Sequence, residues 1–280
     1  MASDSGVPSI SLNNGVEIPQ LVFGVFQIPP EDTKQATLTA LEAGYRHIDT
    51  AEMYGNEREV GEAVRASGID RDEIFVTSKL NNGYHEPGAA AKAFDETVSA
   101  LDIGHLDLFL MHWPLTDGGY VETWKAMEEM LQSGRVRAIG VSNFKQHHLN
   151  RLFAETTVIP AVNQVEIHPY LAQDDLRAFH RQHQIATEAW SPIAQGLVLS
   201  DPVVERIARR LEKSPAQVVL RWHIQRGDIV FPKSVTPQRV RDNFAIFDFE
   251  LSDADVSDLT ALDRNERTGP DPDVFDYIPS

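Results

Sequence analysis

The chain has 280 residues, 42% of them apolar, enough for a large core and too much for a peptide module. Lys and Arg number 25 against 42 Asp and Glu, and the resulting formal charge of −17 disfavours non-specific binding to nucleic acid or to an anionic membrane. The absence of cysteine excludes disulfides, thiolate metal sites, iron–sulfur clusters and a cysteine nucleophile.

In chain order, the opening residues 1–6 lack a basic segment followed by an apolar one. No stretch approaches about 18 uninterrupted apolar residues. The expectation is a soluble, cytoplasmic protein. Residues 9–18 alternate around Asn14-Gly15, the pattern of a β-hairpin. Short β-like runs then alternate with amphipathic helical ones: 21–25 before 31–43, 45–48 before 56–66, 74–77 before 87–101, and 106–111 before 120–132. The alternation continues with 136–141 before 145–153 and 161–165 before 173–183. The run 185–189 precedes helices at 202–211 and 215–225, and 228–231 precedes 237–245. Ser214-Pro215 and Thr236-Pro237 read as helix starts, with a capping hydroxyl and Pro in the first turn. Residues 251–262 form a last helix, with Ser252 and Asp255 spaced as a capping box.

Eight β-then-α units in this order predict one domain, a (β/α)8 TIM barrel with the hairpin at its bottom and extra C-terminal helices. The competing doubly wound open sheet would carry a Gly-x-Gly-x-x-Gly after its first strand, and the chain has none. In a barrel, polar residues at the carboxyl ends of the strands share one mouth. Here they are Asp49, Lys79, His112, Ser142-Asn143, Gln164 to Glu166, Trp190-Ser191 and Lys233-Ser234, with Tyr54 one loop beyond Asp49.

Lys79 is one of seven lysines and follows an apolar strand, where a buried ammonium requires a partner; Asp49 on the adjacent strand end is the candidate. Taken singly, each of these residues also has a plain structural reading. Lys79 could be a solvated strand-end lysine, Asp49 a turn-former, and His112 and Tyr54 packed side chains. Together, Tyr, Lys, His and Asp at one mouth can transfer a proton to an oxygen developing negative charge. A phenol titrates near about pH 10, and a neighbouring ammonium lowers that, which makes Tyr54 a usable acid.

These residues sit in motifs that resemble the aldo-keto reductases. The resemblance rests on residues 44–57 (GYRHIDTAEMYGNE), 110–114 (LMHWP), 139–144 (IGVSNF), 162–169 (VNQVEIHP) and 231–235 (FPKSV) with Arg239 and Asn243. It runs from about Ile10 to Asp263 and is strongest to short-loop bacterial members that include 2,5-diketo-D-gluconate reductases. It implies a catalytic tetrad of Asp49, Tyr54, Lys79 and His112, with Tyr54 as proton donor in NADPH-dependent reduction of a small carbonyl compound. It further implies that Ser142, Asn143 and Gln164 bind the nicotinamide carboxamide and that Trp190 stacks on the ring, although Trp190 could equally be a core aromatic.

The small-residue loop Ser191 to Leu197, with Gln195 and Gly196, suits close approach to a pyrophosphate. By the resemblance, Lys233, Ser234 and Arg239 would hold the 2′-phosphate and so select NADP(H), with Val235 and Asn243 also binding the cofactor. Asn81-Asn82 stands where relatives carry a tryptophan, so substrate preference does not transfer. Phe26, Trp113 and the tail around residues 275–277 are candidate apolar walls. The short stretch Leu115 to Gly119 suggests an open pocket. His147-His148 reads as a solvated helix start without a carboxylate partner, and His168 as a loop anchor, so no metal site is expected. The expected partner is a small carbonyl substrate, with neither nucleic acid nor membrane, and the expected state is a monomer. Two further functions share these residues: a non-catalytic binding subunit of the same fold, and a metal-dependent hydrolase using Asp49 and His112.

Overall fold

A computed structural model describes residues 6–232 and 234–278, the side chain of Pro87 aside. Two short strands, β1 (Ser9–Ser11) and β2 (Glu17–Pro19), pair antiparallel with Ile10 opposite Ile18. Their turn uses Gly15 at a φ of 83°, a conformation in which a side chain is strained. There follow β3 (Phe23–Gly24), α1 (Pro30–Ala43), β4 (His47–Asp49), α2 (Glu57–Ala66), β5 (Phe75–Leu80), α3 (Pro87–Leu101), β6 (Leu106–Met111) and α4 (Tyr120–Gln132). The second half adds β7 (Val136–Ser142), α5 (Gln146–Glu155), β8 (Val162–Glu166), α6 (Asp174–Gln182) and β9 (Ala186–Trp190). It ends with α7 (Pro202–Leu211), α8 (Pro215–Arg226), β10 (Ile229–Val230), α9 (Pro237–Phe244) and α10 (Asp253–Thr260).

Strands β3 to β10 pair in sequence order, all parallel. The ring closes through a parallel bridge between Leu21 and Val230, with Val22 N donating to the Val230 carbonyl and Val230 N to the Gln20 carbonyl, both at 2.9 Å. This is the expected (β/α)8 barrel. Val22, Phe75, Leu108, Leu110, Val162 and Ile229 pack with Leu12 and Ile18 of the hairpin. Asn13 and Asn14 donate to the carbonyls of Pro160 (3.1 Å) and Arg137 (2.9 Å), at the ends where β8 and β7 begin. The hairpin therefore plugs the bottom, and the chemistry is left to the opposite mouth. No helix among the described residues is long and apolar enough to cross a membrane.

Two local expectations change. Strand β5 runs on to Leu80, one residue past the end expected at Lys79, and Lys79 takes a ladder position opposite Leu110 of β6. The Thr236 hydroxyl does not cap α9; the Thr236 N–H instead donates to Ser234 Oγ at 3.1 Å. Ser214 and Ser252 do cap, accepting from the amides of Gln217 and Asp255, each at 3.2 Å.

Candidate active site

Lys79 is fully buried and donates to Asp49 Oδ1 (2.6 Å), the Thr50 carbonyl (2.9 Å) and the Tyr54 hydroxyl oxygen (3.3 Å). Adjacent strands β4 and β5 supply Asp49 and Lys79, and a 3-10 turn over Glu52–Tyr54 returns Tyr54 above them. Burial by itself lowers the lysine pKa, but the charge and hydrogen bond of Asp49, with Tyr54 and Glu188, together offset this and the ammonium is held above its ordinary value. Tyr54 corrects the expectation of an acidified phenol. Burial raises its pKa and outweighs the lowering by Lys79, so the phenol stays protonated well past neutrality. Because Lys79 is a donor to the phenol oxygen, the Tyr54 O–H remains free to donate elsewhere.

The His112 ring stands edge-on to Tyr54 with centroids 5.9 Å apart. Burial, and then the Lys79 charge, push its pKa well below the ordinary value, so it is a neutral imidazole. Its Nδ1 is buried without a hydrogen-bond partner among the described residues. Both Asp49 oxygens are occupied, Oδ1 by Lys79 and Oδ2 by Gln164 Nε2 at 2.9 Å. The Asp49 carboxylate thus serves the Lys79 ammonium and the Gln164 amide.

The neighbouring strand ends form one hydrogen-bonded layer. Ser142 Oγ donates to the Gln164 carbonyl (2.9 Å), and Asn143 Nδ2 donates to the His112 carbonyl (3.0 Å) and to Ser142 Oγ (3.1 Å). Trp190 Nε1 donates to Asn143 Oδ1 at 2.9 Å. Next comes a loop in which Ser191, Ala194, Gln195 and Gly196 all take positive φ, with Ala194 N donating to the Ser191 carbonyl (2.9 Å) and Gly196 N to the Ile193 carbonyl (2.8 Å). Leu197 is exposed on it, and Gln195 Nε2 donates to the Thr268 carbonyl at 3.3 Å. Lys233 lies outside the described residues. Ser234 is buried, Val235 and Arg239 are exposed and Asn243 is half-buried around the start of α9. Among the described residues no carboxylate is paired with Arg239.

The aldo/keto reductase family pattern matches residues 20–264. The chain belongs to the aldo/keto reductase family. A morphine 6-dehydrogenase of Pseudomonas putida is 47% identical over 279 residues, covering 95% of this chain and 94% of the relative. A methylglyoxal reductase, DkgA, of Yersinia pestis is 45% identical over 272 residues, covering 96% and 97%. Among solved structures, a Gox0644 mutant in complex with NADPH superposes with a TM-score of 0.93 at 42% identity, covering 97% of this chain and 99% of that one.

Within this reductase-family barrel the tail changes two expectations. The mouth is not left open by the short stretch after β6. Asp276 accepts from Thr116 N at 2.9 Å and from the Thr116 hydroxyl, and Asn82 Nδ2 donates to the Tyr277 carbonyl at 2.9 Å. Phe275 lies on Trp113 with centroids 4.1 Å apart, while Phe26 packs on Tyr54 at 5.0 Å. Trp113 thus lies under the tail, and Phe26 packs separately on Tyr54. His147-His148 is also not a bare solvated start: His148 is buried, and Asp273 of the tail lies 3.3 Å from His147 and 3.8 Å from His148. Lys145 pairs with Asp271 (2.5 Å) and Asp273 (2.6 Å). His148 Nδ1 accepts the Lys145 N–H at 3.1 Å, which places its proton on Nε2, the atom facing Asp273. The cluster ties the tail to the start of α5.

Sequence reasoning placed Glu166 at a strand end without assigning it a role, and missed Glu188. Glu166 is buried and accepts from Thr268 N and Oγ1 (2.6 Å each), Gly269 N (3.2 Å) and His168 Nε2 (3.0 Å). It fastens the tail, and His168 is the anchor it was expected to be. Its signal was an acidic residue alternating with Gln164 along one buried strand. Gly269 rests against the Trp190 ring, where a Cβ would overlap the indole. Gly269→Ala is therefore expected to displace Trp190, shifting its fluorescence and costing about 1–3 kcal/mol by overpacking. An unchanged emission spectrum and melting temperature would contradict that packing.

Proposed function

We propose that the protein is an NADPH-dependent oxidoreductase that reduces aldehyde or ketone groups to alcohols, with Tyr54 as the proton donor. The observation carrying this reading is the direction of the hydrogen bonds: Lys79 donates to Asp49 and to the Tyr54 oxygen, so the phenol proton is the one left for a substrate. Family membership supports the reaction class, and the NADPH complex of the Gox0644 mutant supports the cofactor.

The residues present fit a nicotinamide dinucleotide phosphate. Ser142, Asn143 and Gln164 gather amide and hydroxyl groups at the Nε1 edge of Trp190, a polar cluster suited to a carboxamide. The left-handed loop Ser191–Leu197, with Gln195 and Gly196, would face the pyrophosphate. Ser234, Val235, Arg239 and Asn243, with Lys233, would hold the 2′-phosphate at the start of α9. NADPH supplies a hydride when bound. The protein's own share is to orient the carbonyl oxygen between Tyr54 and the neutral His112, to release the Tyr54 proton to that oxygen, and to stabilise the resulting phenolate with Lys79. Asp49 keeps Lys79 charged and aimed. Phe26 and Trp113, with Phe275, would line an apolar substrate wall.

Dicarbonyls, keto-sugar acids and small carbonyls are the substrate classes to test, because relatives at 47% and 45% identity carry different substrates in their names. The test is a carbonyl panel followed by nucleotide oxidation, with NADPH and NADH in parallel. NADPH-dependent turnover is expected; preference for NADH would overturn the phosphate site. Arg239→Ala is expected to weaken NADPH binding by about 10- to 100-fold, the range for a charge-assisted bond, and to leave NADH binding unchanged. Equal loss for both nucleotides would contradict a phosphate contact.

A further inference from the structure

Glu188 of β9 has no part in the reading above. It lies opposite Gln164 in the β8–β9 register, two residues before Trp190 and so on the same face of the strand. It is fully buried. Gln164 Nε2 donates to Glu188 Oε2 at 3.0 Å and to Asp49 Oδ2 at 2.9 Å. A continuous chain therefore crosses the barrel from Tyr54 through Lys79, Asp49 and Gln164 to Glu188. Glu188 Oε1 has no partner among the described residues.

This arrangement constrains an amide that is otherwise free to turn over. An amide nitrogen has two hydrogens, and both of Gln164's face carboxyl oxygens. Because Gln164 donates to Oε2, an uncharged Glu188 carries its proton on Oε1, and turning the amide over would set the Gln164 oxygen against the accepting Oε2 and the Asp49 carboxylate, forfeiting both bonds. We propose that Glu188 is a positioning residue for the nicotinamide end of the site: with Asp49 it clamps the Gln164 amide so that its carbonyl oxygen is presented to the ligand, selecting a ring substituent that carries an N–H donor. The role rests on the cofactor reading above and assigns what within that site sets the polarity of Gln164. The ionisable groups facing Glu188 are Asp49 and Lys79, with Tyr54 beyond them. Burial, and then the Asp49 charge, push the Glu188 carboxyl up to about 8, so it is mainly uncharged at neutral pH. Above that pH it adds a negative charge that raises the Tyr54 pKa further.

The test compares Glu188→Leu and Glu188→Gln with wild type, using NADPH and its 3-acetylpyridine analogue, in which the carboxamide N–H is missing. Binding is read by titration without substrate. In Glu188→Leu, NADPH affinity is expected to fall about tenfold, the worth of one positioned hydrogen bond, while the analogue changes less than about twofold. Glu188→Gln keeps an acceptor for Gln164 and should bind NADPH like wild type at pH 6.5, but should lose the wild-type titration near pH 8 in kcat/KM. The side-chain amide signal of Gln164, followed by NMR in nucleotide-free protein, should move in Glu188→Leu. Equal weakening of both nucleotides, no weakening of either, an unmoved Gln164 signal, or an alkaline titration that persists in Glu188→Gln overturns the proposal. Wild-type protein that binds no NADPH overturns the cofactor reading itself, and the role assigned to Glu188 with it.

Discussion

Tyr54→Phe is expected to leave NADPH binding within about twofold of wild type while lowering kcat for carbonyl reduction by at least about 100-fold, the range for loss of a positioned general acid. The separation follows from the geometry. The ring of Tyr54 packs on Phe26 and beside His112, contacts that phenylalanine keeps. The hydroxyl makes one recorded bond, accepting from Lys79, and holds the only acidic proton in the tetrad with a free direction. His112 cannot substitute, because burial and Lys79 keep it neutral and without a spare acidic proton at neutral pH. Stopped-flow and steady-state measurements on the same protein separate the two quantities. Turnover above about a tenth of wild type would remove Tyr54 from the proton-donor role.

Lys79→Met is expected to cost about 3–5 kcal/mol of folding stability in addition to activity, because it strands the Asp49 charge inside the barrel. Asp49 is 1% exposed, and after the substitution its remaining hydrogen-bond partner is Gln164. Methionine matches the lysine stem in length and apolarity, so the loss reports the charge and not a cavity. Urea unfolding measures it. Adding Asp49→Asn to Lys79→Met removes the stranded charge and should recover much of the stability without any activity. If the single and double variants unfold at the same urea concentration, the ion pair is not what holds this part of the mouth.

Much of the architecture was legible because it repeats. Eight β-like runs separated by helical ones admit few folds, and the Asn14-Gly15 turn marked the hairpin before any contact was known. Asp49, Lys79 and His112 were legible because they stand at strand ends, where barrel geometry collects them, and Tyr54 because it follows Asp49 by one short loop. Glu188 was not singled out because a single acid in the run 185–189 looks like a solvent-facing alternation. The parallel ring buries both faces of β9 and turns that acid inward beside Gln164. Tail contacts were equally unreadable: Asp273 and His147 are 126 positions apart, and no local rule pairs them.

The sequence by itself determined the order of strands and helices, the polar residues available at each strand end, and the scarcity of lysine that made Lys79 conspicuous. Those properties are local or compositional, and periodicity and spacing record them directly. Only the tertiary structure decided the protonation states and the covering of the mouth. Tyr54 stays a full phenol because burial outweighs its lysine neighbour, a balance that depends on what surrounds both. The tail closes over Trp113 and Asn82 because Glu166, Thr116 and Lys145 come from three different strand ends to meet it. Such long-range contacts are selected by the closure of the barrel and leave no pattern along the chain.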